Sequence, residues 1–362
     1  MRRKVTAVFQ FILDNSLLLA AGAAAGLAWA NLDPASYQAV SSRLTFGVND
    51  IGMVFFFGVM TKEVYEATLP GGPLASWRQA AVPVFAAIGG MVVPAAIYLA
   101  ACAMLGRSDL FRGWAIPCAT DIAFAYLAVR MVFKRGHPAL PFLLLLAIAD
   151  DALGLVILAV FYPAGAVAPI MLIAGVAAAV AFAALLRRFG VGNFWPYVLG
   201  PGVVSWLALH EGGLHPALAL VPIVPLMPHA RATLEQFEEW WRLPVQIVLL
   251  LFGVANAGVS FASVGTLTCV IAISLMAGKP AGIIASTALA ERFGFRRSEG
   301  LDYRSLAILG IAAGIGFTVA LFFATAAFPS GRLLDEAKMG ALLSIAAFPL
   351  AILAGRWLKT RS

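Results

Sequence analysis

The sequence predicts an all-α polytopic membrane protein with about twelve transmembrane helices in a single integral membrane domain, residues 1–362. Three observations predict it. Hydrophobic residues make up 62% of the chain and charged residues 12%, against about 45–50% and about 25% in soluble domains, and mean hydropathy is +0.91. The apolar residues fall in stretches of roughly 20, the length that crosses the hydrocarbon core of a bilayer. Lys and Arg alternate in density from one interspan loop to the next, which is the topogenic pattern of membrane proteins. The 34 glycines fit the same class, because small residues let helices approach closely in lipid.

The first span, near 11–31, follows the basic MRRK. Asp14 precedes its apolar run, which extends to about residue 30, so a retained helix is expected in spite of the signal-peptide-like Ala28-Trp29-Ala30. Further spans follow near 45–61, 79–104, 113–133, 139–162, 166–187, 194–210, 212–227, 243–263, 266–289, 304–328 and 338–357. With the N-terminus in the cytoplasm, 19 Lys and Arg fall on the cytoplasmic side and 5 outside, and Lys279 remains inside a span. That bias predicts an even number of crossings with both termini cytoplasmic. The longest polar stretch, HARATLEQFEEWWRLP (229–244), reads as an interfacial cytoplasmic helix anchored by Trp240 and Trp241. A net charge of +7 in a soluble chain would suggest nucleic acid. Here the basic residues sit in short loops, so no nucleic-acid partner is expected. Cys102, Cys118 and Cys269 all lie in apolar stretches, as buried thiols without a metal-binding spacing.

Four ionisable residues lie near span centres, where each costs about 2.5–3.5 kcal/mol on insertion scales. Asp150 and Asp151 have ten residues before them from Leu140 and ten after them to Phe161. Asp121 lies midway along WAIPCATDIAFAYLAV, and Lys279 midway along its own span. Three acids cannot all be neutralised by one central lysine, so the group marks an ion or proton path. Adjacent residues on a helix point about 100° apart. One of Asp150 and Asp151 can therefore line an aqueous cavity while the other faces a neighbouring span. The two would titrate as a coupled unit. A deprotonated carboxylate supplies the oxygen ligands of a small hard cation, so protons and cations would compete for one site.

Two spans look interrupted. Pro117 precedes Thr120-Asp121 in the fourth, and proline removes a backbone hydrogen bond mid-helix. The eleventh carries Gly310, Gly314 and Gly316 in GIAAGIGFT. Interrupted segments in corresponding halves point to a transporter site, and Asp121 and Lys279 have suitable signs to offset the half-helix dipoles.

At these residues the chain resembles the NhaA-type sodium–proton antiporters along nearly its whole length. The segments that carry the resemblance are LASWRQAAVPVFAAIGGMVVPA (74–95), GWAIPCATDIAFA (113–125), LAIADDALGLVILAVFY (146–162), ANAGVS (255–260), GKPAGI (278–283) and GIGFT (314–318). It implies inverted-topology repeats with two discontinuous helices crossing at the midplane. It implies exchange of Na+ or Li+ for H+ across the cytoplasmic (inner) membrane, serving pH and sodium homeostasis, with no cofactor beyond the transported ions. Asp150 and Asp151 match the family's cation- and proton-carrying pair, Thr120 and Asp121 its broken-helix Thr-Asp, and Lys279 the Lys of its Gly-Lys-Pro. Asp150, Asp151 and Thr120 are thereby the expected seat of the transported ion. Glu63, His215 and, more weakly, Asp50 match positions tied to pH response. The chain departs from the family at Lys62-Glu63-Val64-Tyr65-Glu66-Ala67, where a basic pair is missing. The region after the first span is short, lacking much of the outer loop through which some members dimerise, so a homodimer is one open state.

Other readings carry less. A sodium-coupled solute symporter would need a polar cavity, but the central spans offer mostly Ala, Gly, Leu and Phe around the acids. An intramembrane aspartyl protease needs carboxylates facing each other across two helices, whereas Asp150 and Asp151 are neighbours on one. HEGGLH, from His210 to His215, is one residue longer than a zincin motif and contains a helix-breaking Gly pair. Gly314-Ile315-Gly316 follows no strand and is no dinucleotide loop. These features predict a transporter without enzymatic chemistry.

Overall fold

The computed structural model describes residues 17–228 and 231–359. Asp14, Arg2, Arg3, Lys4, Arg361 and the expected start of the first span lie outside the described residues. The described residues form helices and turns with no strand among them. In chain order the α-helices are α1 (Leu17–Leu32), α2 (Pro34–Thr45), α3 (Met53–Thr68), α4 (Trp77–Met104), α5 (Ile122–Val132), α6 (Ala139–Phe161), α7 (Pro169–Arg188), α8 (Val203–Glu211), α9 (Arg231–Ala257), α10 (Thr266–Ile273), α11 (Lys279–Arg292), α12 (Tyr303–Ala313), α13 (Phe317–Ala327), α14 (Arg332–Leu343) and α15 (Ala347–Lys359). Wider π turns join α2 to α3 over Phe46–Gly52 and α10 to α11 over Ser274–Gly278, and a 3₁₀ stretch, Ser108–Cys118, leads towards α5.

Among the described residues seven helices are long and apolar enough to cross a membrane, and nine if each of two bent pairs counts as one span. The chain is thus all-α with the spans of a polytopic membrane protein. Three expected spans differ. Only sixteen residues of the first are described as helix, and residues 195–211 form a short helix interrupted by a π turn at Val198–Gly202. Over 212–227 the chain makes turns and two short 3₁₀ pieces, Pro216–Leu218 and Val224–Leu226. Pro216, Pro222 and Pro225 each lack the amide hydrogen that a helix turn needs, so apolar content there does not become a helix. The stretch expected as a separate interfacial helix instead continues into the next span. From Arg231, α9 runs 27 residues with Pro244 inside it, while His229 and Ala230 lie outside the described residues. Cys102 and Cys118 are buried as expected, but Cys269 is exposed; an apolar stretch does not separate lipid-facing positions from buried ones.

The chain divides into two compact units. The described part of the first is 67–154 and 259–359; the second is Leu17–Glu66 with Leu155–Gly258. In the second unit α1 packs along α9. Asn49 and Asn256 exchange side-chain amide hydrogen bonds of 3.1 and 2.9 Å there, so both buried amides are satisfied. The core of the first unit is aliphatic and alanine-rich, formed by Ala86 on α4, Val129 on α5, Leu143 and Leu146 on α6, Ile283 on α11 and Leu309 on α12, among others.

Within that unit α4 and α11 meet at backbone contact. A Cβ on Gly282 would stand 2.7 Å from the Gly89 carbonyl carbon, and one on Gly278 would stand 2.8 Å from Pro94 Cα. Such close approach replaces the hydrophobic drive that lipid does not provide. Gly282→Val is expected to force the two helices apart and to lower stability by about 1–3 kcal/mol or more. The unfolding midpoint of the detergent-purified protein measures this, and an unchanged midpoint would show that the crossing can relax.

Candidate ion site where two helix bends meet

Both bent pairs belong to the first unit. Ser108–Cys118 and α5 bend by 52° at their junction, and α12 and α13 by 50°. The first break follows from Pro117, after which Ala119 to Asp121 run extended. The second is Gly314 to Gly316, between the last residue of α12 and the first of α13. The two breaks lie against each other. The Asp121 amide donates to the Ile315 carbonyl at 2.6 Å, and a Cβ on Gly316 would stand 3.2 Å from the Ala119 carbonyl oxygen.

Two helix N-termini converge on the Asp121 carboxylate. Its Oδ1 accepts from the Phe124 amide at 3.4 Å, as the N-cap of α5. Its Oδ2 accepts from the Thr318 amide of α13 at 3.2 Å and from the Thr318 hydroxyl. Free amides and partial positive charge collect at helix N-termini, so one buried carboxylate offsets both. The expected offsetting of dipoles by Asp121 thus has a definite set of partners.

Lys279 lies elsewhere in this arrangement. It opens α11 directly after the π turn, and Pro280 behind it cannot donate to the Met276 carbonyl one turn earlier. Such π turns recur at functional sites. The ammonium is fully buried, and its Nζ donates to Asp150 Oδ2 at 2.6 Å and to Thr120 Oγ1 at 2.6 Å. The Thr120 hydroxyl lies 2.6 Å from the same Oδ2 and 3.2 Å from the Ala313 carbonyl at the end of α12. A hydroxyl carries one hydrogen, so Thr120 satisfies Asp150 or Ala313, but not both fully. Asp150, 4% exposed, keeps its Oδ1 buried without a hydrogen bond from the protein. A buried ammonium with one carboxylate and one hydroxyl, beside an unengaged carboxylate oxygen, can exchange one cation for another. Asp151, one residue on, is only part-buried, so the two carboxylates of α6 stand in different surroundings.

Thr120, Asp121, Asp150 and Lys279 are therefore brought together, with Asp151 beside Asp150 on the helix. Asp50, Glu63 and His215 belong to the second unit. Asp50 lies in the π turn before α3, its carbonyl accepting from Trp206 Nε1 at 2.8 Å. Glu63 is exposed on α3. Its neighbour Lys62 pairs with Glu66 at 2.7 Å and with Glu238. His215 Nδ1 accepts from the Ala217 amide at 3.3 Å, capping a 3₁₀ turn. The HEGGLH stretch leaves the helix at Gly212 and turns at Gly213 with φ +80°, and the His210 ring stacks on Trp206. Among the described residues no group of three or more His, Cys, Asp or Glu is placed to hold a metal ion.

Two site residues had no signal in the sequence. One is Thr318. The other is Ser344, fully buried at the end of α14, whose Oγ accepts from the Gly316 amide at 3.1 Å and donates to the Ala341 carbonyl at 2.6 Å. Serine and threonine are common in membrane helices, so neither type stands out.

The profile of the family described as "Na+/H+ antiporter 1" matches residues 7–357. The chain is similar to Na(+)/H(+) antiporter NhaA 2 of Pelobacter propionicus, 44% identical over 372 residues that cover 96% of this chain and 97% of the relative. It is similar to Na(+)/H(+) antiporter NhaA of Geobacter metallireducens, 44% identical over 384 residues, covering 100% and 99%. A more distant likeness is to Na(+)/H(+) antiporter NhaA of Jannaschia sp., 40% identical over 409 residues, covering 96% and 97%.

Ser344→Ala leaves the Gly316 amide without its acceptor, and Thr318→Val removes a donor from Asp121. Each is expected to cost about 1–3 kcal/mol and to speed amide hydrogen exchange at the breaks. Exchange and unfolding midpoints equal to wild type in both variants would mean that other contacts hold the two bends together.

Proposed function

The chain belongs to the Na+/H+ antiporter 1 family, and on that premise we propose that it exchanges Na+ for H+ at the Asp150–Thr120–Lys279 cluster. The observation that carries this reading is the fully buried Lys279 ammonium, bound at 2.6 Å to an Asp150 whose other oxygen is unengaged. A hard cation needs several oxygen ligands, and Asp150 with the Thr120 hydroxyl offers the start of such a set. Asp151, on the neighbouring helix position, supplies a second carboxylate on the ion's route. An incoming Na+ takes Asp150 from Lys279. Two uncompensated positive charges in a buried site are strongly unfavourable, so charge balance requires a positive charge to leave. The protons at hand are one on the Asp151 carboxyl and one on the Lys279 amine. Asp121 stays with its helix ends and keeps the crossing in register. Alternating access then exposes the cluster to either side of the membrane.

Li+, of like charge and ligand preference, follows the same route. The ions are cargo, and the cycle requires no resident cofactor. The relatives are transporters and indicate no enzyme family, and the symporter reading finds no support among them. The protein is a multi-pass membrane protein, and we place it in the cytoplasmic (inner) membrane with both termini inside, following the Lys and Arg bias. Inverted repeats, with the two bent pairs as corresponding discontinuous helices, account for two similar bends meeting in one unit, and the Lys and Arg bias favours an even number of crossings, twelve in the sequence reading. Homodimerisation and a part for Glu63, His215 and Asp50 in pH response complete the proposal.

Everted vesicles with a preset pH gradient test the exchange. Na+ or Li+ is expected to collapse the gradient in wild type and not in Asp150→Asn or Asp151→Asn. Where one proton competes with one Na+, mass action raises the apparent KM for Na+ by up to about tenfold per unit fall in pH. No collapse in wild type between about pH 6 and 9, or a KM that ignores pH, would overturn this reading.

A further inference from the structure

The loop between α11 and α12 closes one end of both helices, so it lies at one edge of the apolar slab that residues 266–292 span. It encloses a cleft of about 560 Å³ whose lining includes Glu291, Phe295, Arg296, Arg297 and Ser298. Arg297 is fixed on two sides. Its Nε donates to Glu291 Oε1, and its guanidinium lies over the Tyr303 ring, 4.0 Å from the centroid. The Tyr303 hydroxyl donates to Glu291 Oε2 at 2.6 Å, which fixes the carboxylate in turn. Arg297 Nη1 is nevertheless buried and has no acceptor. Buried charged donors are paired in folded proteins, so a pre-set guanidinium with a free donor atom points to an absent acceptor.

The surrounding charge and shape narrow what that acceptor is. Arg292 and Arg296 are exposed beside the cleft. Of the three acids in the segment, Glu291 is held by Arg297 and Tyr303, Asp302 caps the Ser305 amide at 2.7 Å, and Glu299 is exposed. Arg304 follows, so the segment carries four cations and three anions. At the same helix end Leu289 is 46% and Phe293 67% exposed. An apolar flank next to an arginine cleft at the membrane edge matches one ligand with a phosphate and hydrocarbon chains.

We propose that this cleft binds the phosphate of an anionic phospholipid, with Arg297 and Arg296 on the headgroup, the Ser298 hydroxyl donating, and Leu289 and Phe293 against the acyl chains. The arginine fork suits phosphate oxygens. The site is separate from the ion cluster, and its existence does not depend on the exchange reading.

The full-length protein is purified and equilibrated with mixed micelles holding phosphatidylglycerol or phosphatidylcholine, and retained lipid is counted by native mass spectrometry. Wild type is expected to keep phosphatidylglycerol in preference to phosphatidylcholine. Arg297→Gln should weaken that retention by about fivefold or more, the effect of one arginine near an anionic surface, and Arg296→Gln should weaken it in the same direction. If Arg297→Gln is not monodisperse, the Arg296→Gln result decides. Equal retention of the two lipids, or unchanged retention in the folded variants, overturns the proposal. A third arm adds millimolar inorganic phosphate. Displacement of the lipid by phosphate would make the cleft a free-anion site and would also overturn the lipid assignment.

Discussion

A lysine with no access to water must have an anion within reach, and the first unit is organised around that requirement. Lys279 finds Asp150, and each is held by something else: Lys279 by a π turn and the proline behind it, Asp150 by the middle of a long apolar helix. An ion pair so buried gains little net stability, because desolvation of both charges offsets their attraction. Its presence therefore reads as function rather than glue. Parting the pair leaves a buried charge uncompensated, so a cation that takes the carboxylate must be matched by the loss of a positive charge from the site.

The two bends, which meet where the Asp121 amide reaches the Ile315 carbonyl, provide the surroundings in which such a pair can be reached. An intact helix would keep its amides and carbonyls for itself. The interruptions at Ala119–Asp121 and Gly314–Gly316 release polar backbone groups inside the apolar layer, where each must find a partner. Asp121 takes the amides of Phe124 and Thr318, Ser344 takes that of Gly316, and Thr120 takes a share of the Ala313 carbonyl. Polar backbone and polar side chains thus satisfy each other in a small region, next to the buried Asp150 Oδ1, which no protein group engages.

Much of this was legible from the residues. Charged side chains in apolar helices are costly and stand out, so Asp121, Asp150, Asp151 and Lys279 were found by type and position alone. Pro117 and the Gly310, Gly314 and Gly316 series marked where helices would fail. Thr318 and Ser344 were not legible, because a hydroxyl in a membrane helix usually bonds back to its own carbonyls and carries no signal of a distant partner. The stretch 212–227 was misread because hydropathy counts proline as harmless, whereas the backbone does not. The long α9 was split in the sequence reading because its first half is charged, although charge affects where a helix sits more than whether it forms.

The glycine contacts between α4 and α11 have a mechanical consequence. Two helices touching backbone to backbone cannot slide or roll past one another without collision, so they travel as a single strut. The moving part that remains at the ion pair is the lysine stem itself, four methylenes with several rotamers. Lys279 can then leave Asp150 by the swing of one side chain, without disturbing the helix that carries it.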